Sequence, residues 1–130
     1  MVGLGTAGKD GYTLVHHFYQ AYKSCKDADH FFLTLTKRKE FPLIANSMTY
    51  FEETPLDIAV NNHNNEALLL SIANRNYFNF NNVNNSQGSN LIHRAIRCGN
   101  FVAVMHLLRN DLCDIKHRDQ KGLLPIDYCT

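Results

Sequence analysis

The chain has 130 residues, 45% of them hydrophobic, with 13 basic and 12 acidic side chains and a formal net charge of +1. That is enough for one domain with one core, and so balanced a charge supplies no global field to draw in nucleic acid or an anionic membrane. No apolar stretch approaches the length of a membrane span, and residues 1–10 lack the apolar core of a signal peptide.

Residues 1–8 read as a flexible leader. Gly3-Leu4-Gly5-Thr6-Ala7-Gly8 has the spacing of a dinucleotide-binding loop. That mechanism needs a strand ahead of the glycines, and only Met1 and Val2 stand there. Gly3 also lies one place too late for myristoylation. Gly11-Tyr12-Thr13-Leu14-Val15-His16-His17-Phe18 opens the first helical segment, and Phe31, Phe32, Leu33 and Leu35 form a later apolar stripe read as core. The basic run Thr36-Lys37-Arg38-Lys39 reads as a solvated loop. Within the long link at 37–48, Glu40-Phe41-Pro42-Leu43-Ile44 reads as an extra turn or short helix.

Glu52-Glu53-Thr54-Pro55-Leu56-Asp57-Ile58-Ala59 is a clear helix start. Thr54 is a hydroxyl N-cap, and Pro55 takes the first helical position, where no amide donor is needed. A polar break at 61–65 follows, then the apolar run Ala67-Leu68-Leu69-Leu70-Ser71-Ile72. Within that run Leu69 is expected to be buried. The order returns with Gly88-Ser89-Asn90-Leu91-Ile92-His93-Arg94-Ala95, the break Arg97-Cys98-Gly99-Asn100, and the helix Phe101-Val102-Ala103-Val104-Met105-His106-Leu107-Leu108. It begins once more at Gly122-Leu123-Leu124-Pro125-Ile126-Asp127-Tyr128-Cys129. Ala59, Ala95 and Cys129 stand 36 and 34 residues apart. Each unit therefore reads loop, helix, turn, helix. No such helix pair covers both of its apolar faces alone, so neighbouring units must stack.

Cys25, Cys98, Cys113 and Cys129 show no CxxC pairing and read as free thiols of a reducing compartment. Cys113, His117 and His106 invite a metal reading, but a zinc site wants four ligands, usually as two close pairs. Histidine at a helix start reads instead as a structural group. A nucleophilic role for Cys98 or Cys113 would need a neighbouring base and a cleft. Fifteen asparagines, many between 61 and 90, point to loops built on polar turns.

The run from Thr54 to Ala59, the run Leu91-Ile92-His93-Arg94-Ala95 with Cys98-Gly99-Asn100 behind it, and Asp114-Ile115-Lys116-His117-Arg118-Asp119-Gln120-Lys121-Gly122 resemble the ankyrin repeat. The resemblance covers about 49–130 well and 9–36 weakly, with spacings near the ~33 residues of that family. Two residues depart from it. Glu52 replaces the turn glycine, which implies a reshaped loop there, and His63 replaces the glycine between helices, where a left-handed residue is wanted.

The resemblance implies an all-α, ankyrin-like helical repeat solenoid at 9–130. It would have about four units, at 9–48, 49–84, 85–118 and a partial 119–130, the first divergent and the last incomplete. It implies a protein-binding module that is not an enzyme, needs no cofactor or metal, and works in the cytoplasm without nucleic acid or membrane. Partners would be met at loop tips and on the concave helix face. In this chain those are Tyr12, Gln20, Tyr50, Phe51, Glu53, Asn61, Asn62, Ser86, Gln87, Ser89, Arg97, Gln120, Lys121 and Leu123. Tyr12, Tyr50, Phe51 and Arg97 are the residue types that most often anchor interfaces. The incomplete last unit leaves an apolar face for self-association or for further chain. The alternative is an accessory or regulatory segment of a larger enzyme, including effectors that intracellular bacteria send into the host cytosol, or a cap on a neighbouring domain.

Overall fold

The computed structural model describes Gly8 and residues 10–129. The leader and its glycine run lie outside the described residues except for Gly8, whose N–H donates to Tyr12 O (2.7 Å). Among the described residues there are seven α-helices: α1 (Leu14–Ala21), α2 (Lys26–Thr36), α3 (Phe41–Ala45), α4 (Pro55–Asn61), α5 (Asn65–Ala73), α6 (Leu91–Arg97) and α7 (Phe101–Arg109). Short 3₁₀ turns occupy Arg75–Tyr77 and Pro125–Tyr128, and there is no strand among the described residues. The chain is all-α.

Three helix starts share one chemistry. Thr13, Thr54 and Asn90 cap α1, α4 and α6, each in a capping box with the residue three places on: His16, Asp57 and His93. The two orphan amides at each start are thereby satisfied locally. Two residues before each cap the backbone turns left-handed, at Gly11 (φ 80°), Glu52 (φ 62°) and Gly88 (φ 61°). Glu52 thus adopts the conformation a glycine would take more easily. Its carboxylate accepts the backbone N–H (3.1 Å) and the hydroxyl (2.7 Å) of Ser86, which ties one turn to the next. His63 (φ 55°) and Gly99 (φ 75°) make the tight turns into α5 and α7. Asn64 and Asn100 then cap those helices, and their amides donate to carbonyls of the preceding segment: Asn64 to Tyr19 O (2.9 Å), Asn100 to Val60 O (3.0 Å). The asparagine content is largely accounted for by such caps and turns.

α1, α4, α6 and the Pro125–Tyr128 turn form one row in which each contacts the next, and α5 contacts α7 beside it. Ala59 and Ala95 are fully buried between neighbours in the first row, where a larger side chain would hold the helices apart. Val15, Leu56, Val60, Leu68, Ile92 and Leu107 belong to the same aliphatic core. The link at 37–48 does carry a helix. In α3, Phe41 and Ile44 are buried, and Phe41 meets Phe32 and Tyr77 edge-on with ring centroids 5.7 and 5.3 Å apart. α3 also contacts both α1 and α2.

Two burial expectations need correction. Leu69 is 44% exposed, and its neighbour Leu68 is the fully buried residue. The α5 stripe is Ala67, Leu68, Ser71 and Ile72. A run that is apolar all round carries no phase of its own, so packing chose it. In α2, Phe32 and Leu35 are buried, whereas Phe31 and Leu33 are 41% and 52% exposed.

Candidate partner-binding surface

Three turns project from the N-terminal ends of α4, α6 and the Pro125–Tyr128 turn, and one arrangement of side-chain oxygens builds them. Thr49 Oγ1 accepts the N–H of Phe51 (3.1 Å) and of Glu53 (3.3 Å). Asn85 Oδ1 accepts those of Gln87 and Ser89 (both 3.1 Å). Asp119 Oδ1 accepts those of Lys121 (2.9 Å) and Leu123 (3.0 Å). The three oxygens stand 36 and 34 residues apart. The turns are also joined sideways. Tyr50 N–H donates to Asp10 O (2.9 Å), Ser86 N–H to the Glu52 carboxylate, and Gln120 N–H to Gln87 O (2.8 Å). A side chain at Gly11 would come within 2.9 Å of the Tyr50 backbone nitrogen, so glycine is what lets the first two turns close.

Buried histidines reinforce this edge. Thr13 N–H donates to His16 Nδ1 (3.0 Å), and His16 Nε2–H donates to Glu53 O (3.0 Å) in the next turn. His93 sits the same way between Asn90 and Leu123 O (3.0 Å). Burial lowers the pKa of both rings below the ordinary histidine range. At the middle position the clip is ionic instead. Arg94 Nε lies 3.2 Å from Asp57 Oδ1, and an Arg94 amino group donates to Glu52 O (2.9 Å). Burial raises the Asp57 carboxyl more than Arg94 and Thr54 lower it.

This scaffold holds most of the expected residues in one row. Tyr50 and Phe51 are 75% and 64% exposed at their turn. Ser86, Gln87, Gln120 and Lys121 are exposed on the neighbouring turns. Tyr12 is half-buried and, with Asp10, His17, Gln20 and Phe51, lines an open hollow of about 410 Å³ at the first end of the row. Glu53 and Asn61 face each other along α4, the Asn61 amide donating to the Glu53 carboxylate (2.8 Å). Arg97 is exposed and borders two hollows. One, of about 260 Å³, lies between Asn61, Gln87, Arg94 and Cys98. The other, of about 140 Å³, lies among Gln87, Asp119, Gln120, Lys121 and Tyr128.

Three expected residues stand apart from the exposed row. Ser89 is 1% exposed, and its hydroxyl accepts an amino N–H of Arg97 (2.8 Å). It positions a surface residue and offers little surface itself. Leu123 is half-buried, with its carbonyl taken by His93 and by Asp119 N–H. Asn62 is exposed beyond the last turn of α4, at the opposite end from the turns. Arg94, Cys98 and Tyr128 were not among the expected residues. Tyr128 lies 31 positions from Arg97 in the chain, yet its ring centroid is 5.4 Å from the Arg97 guanidinium carbon. The one signal for it was the alignment of Tyr128 with Arg94 in the 34-residue spacing.

Among the described residues no three His, Cys, Asp or Glu side chains come together to hold a metal ion. His117 Nε2–H donates to Gly88 O (2.8 Å), and Cys113 Sγ–H to Phe80 O (3.2 Å). Burial pushes the Cys113 thiol up to about 12, far from a thiolate at neutral pH. No helix among the described residues is long and apolar enough to cross a membrane.

No family model matches the chain. A 48-residue stretch, 37% of the chain, is 40% identical to the human BCL-6 corepressor; it spans 2% of that protein's length. The fold is similar to that of a chain in the solved structure of a predatory endopeptidase from Bdellovibrio bacteriovorus in complex with an immunity protein. The TM-score is 0.52 at 17% identity, over 98% of this chain and 78% of that one. At such identity the likeness speaks for the helical fold alone.

Proposed function

We propose that this chain is an ankyrin-type repeat stack that binds a partner protein through its turn tips and the groove beside α4 and α6, and that it does not catalyse a reaction. One observation carries the reading. Tyr50 and Phe51 are large aromatics, mostly exposed, on a turn whose backbone is fixed by Thr49, Asp10 and Gly11. A backbone held this way has little freedom left to lose on binding, which leaves more of the aromatics' contact energy as affinity. The recurrence of the Thr49, Asn85 and Asp119 oxygens at 36 and 34 residues supports the repeat register and the unit boundaries near 49, 85 and 119.

The test is capture from cytosolic extract by the immobilised chain, beside the Tyr50→Ala/Phe51→Ala/Arg97→Ala variant. A protein retained by the wild type and lost by the folded variant is expected. Equal retention by both refutes the assignment of the surface.

Self-association has an observation of its own. Ile126 is 69% exposed, whereas Val15, Leu56 and Ile92, which follow their helix starts at the same place, are at most 2% exposed. A sedimentation coefficient that does not change with concentration refutes it.

A further inference from the structure

We propose that the cleft bounded by Arg97, Lys121 and Tyr128 takes a carboxylate-bearing segment of the partner protein, with Arg97 as the anchor. This rests on the groove being a binding surface and adds the chemistry of its occupant.

Most charges near the cleft already have partners. Arg94 is engaged by Asp57 and by Glu52 O. Asp119 is engaged as well: one carboxylate oxygen accepts two backbone N–H groups, and the other accepts the Tyr128 hydroxyl. Glu53 is held by the Asn61 amide. Arg97 differs. Ser89 Oγ accepts one of its N–H groups at 2.8 Å, and the Tyr128 ring lies against its guanidinium. Both contacts orient the cation, and neither neutralises it. Among the described residues the ion pairs are Arg38–Glu40 and Arg94–Asp57 only, so neither Arg97 nor Lys121 has an ion-pair partner; the carboxylate among the residues lining the cleft, Asp119, is buried and taken up by backbone N–H groups and the Tyr128 hydroxyl.

A planar guanidinium fixed on two sides presents its remaining N–H groups as a fork, the geometry that suits a carboxylate. Gln87 and Gln120 on the flanking turns add amide donors to the same hollow. The hollow is about 140 Å³, which suits one side chain rather than a folded surface. At the other end of the row the character reverses: the hollow there holds Asp10, Tyr12 and Phe51 and no Lys or Arg. The groove therefore has polarity, and an occupant that places its acid at Arg97 avoids Asp10. Phosphate of a nucleic acid fits less well. A backbone tracked along the row would meet Lys121, Arg97 and the Asp57-paired Arg94, and then Glu53 and Asp10, where strong binding needs a continuous basic path.

The experiment is selection of random 12-residue displayed peptides on the full chain. Peptides enriched in Asp and Glu over the starting pool are expected, with affinity falling as salt rises. Arg97→Gln and Lys121→Gln, each with an unchanged melting temperature, should weaken the selected peptides about tenfold, equivalent to about 1.4 kcal/mol. Arg97→Lys should recover part of that loss. Arg109→Gln, an exposed cation at the end of α7, should change nothing.

Enrichment of neutral or basic peptides overturns the proposal, as does indifference to Arg97→Gln or tighter binding of oligo-uridine than of any peptide. Neutral peptides that Tyr50→Ala/Phe51→Ala releases would overturn the acidic occupant and leave the groove as a binding surface. Failure to enrich any peptide, together with equal capture by the wild type and triple variant above, would overturn both.

Discussion

His16 offers the sharpest test of how the turns are held to the helices. Its ring is fully buried. Nδ1 faces the Thr13 backbone N–H at 3.0 Å and the Thr13 hydroxyl at 2.9 Å, and Nε2 faces Glu53 O at 3.0 Å. Only a neutral ring with its hydrogen on Nε2 satisfies all three, because a proton on Nδ1 would confront the Thr13 N–H. Replacing His16 with Ala orphans the Thr13 N–H, worth about 1–3 kcal/mol when buried, whereas Glu53 O keeps the Thr49 N–H (2.9 Å). With the void added, a loss of roughly 2–4 kcal/mol is expected, which lowers the melting temperature by on the order of 10 °C.

The pH dependence follows from the same geometry. Burial lowers the His16 and His93 pKa in the folded chain, so the unfolded chain binds protons more readily. The stability these neutral rings contribute is complete above about pH 6.5 and drains away as pH falls below that value. The assay is urea denaturation at pH 7.5 and pH 5.0 for the wild type and for His16→Gln/His93→Gln. The wild type should be weaker at pH 5.0, and the double variant should lose less stability over the same interval. Equal losses in the two proteins would show that these rings are not the groups that stay neutral.

Three further outcomes are expected. Leu68→Ala should lose about 2–5 kcal/mol in urea melts, whereas Leu69→Ala, at a position 44% exposed, should lose well under half as much; equal losses would contradict the α5 phase. Arg94→Met keeps much of the packing but leaves Asp57 buried without its cation, and should lose about 2–4 kcal/mol; adding Asp57→Leu should recover part of it, and additive losses would show the pair to be uncoupled. Glu52→Gly relieves a left-handed backbone but frees Ser86, so its two effects oppose and stability in urea melts should stay within about 1 kcal/mol; a loss well beyond that would show that the carboxylate clip outweighs the backbone relief.

The helix starts were legible because their chemistry is local. Thr54 with Pro55, and Asn90 ahead of an apolar run, satisfy amides a few residues away, and the structure places caps at both. His63 was legible as a left-handed position for the same reason and has a positive φ, whereas the loop at Glu52 is not reshaped: the residue keeps the left-handed φ of 62° that Gly11 and Gly88 show at the matching places. The α3 helix followed from Phe41-Pro42-Leu43-Ile44, a short apolar run with proline near its start.

Other features depend on which segments lie side by side. The 36- and 34-residue spacings placed the three turns in register, yet spacing alone does not bring Arg97 to Tyr128 or Arg94 to Asp57. Those contacts join α4 to α6 and α6 to the Pro125–Tyr128 turn, and exist only once these elements lie side by side. Ser89 read as a surface residue because serine in a turn is usually solvated, but it is 1% exposed and its hydroxyl accepts an N–H of Arg97, at the far end of the helix that follows it. Leu68 and Leu69 are chemically identical, so only the arrival of neighbouring helices set one inside and the other out. Capping and turn chemistry are settled within about four residues, and the sequence carries them whole. Burial and charge pairing are settled by surfaces that meet across more than thirty residues, and tertiary structure alone brings those surfaces together.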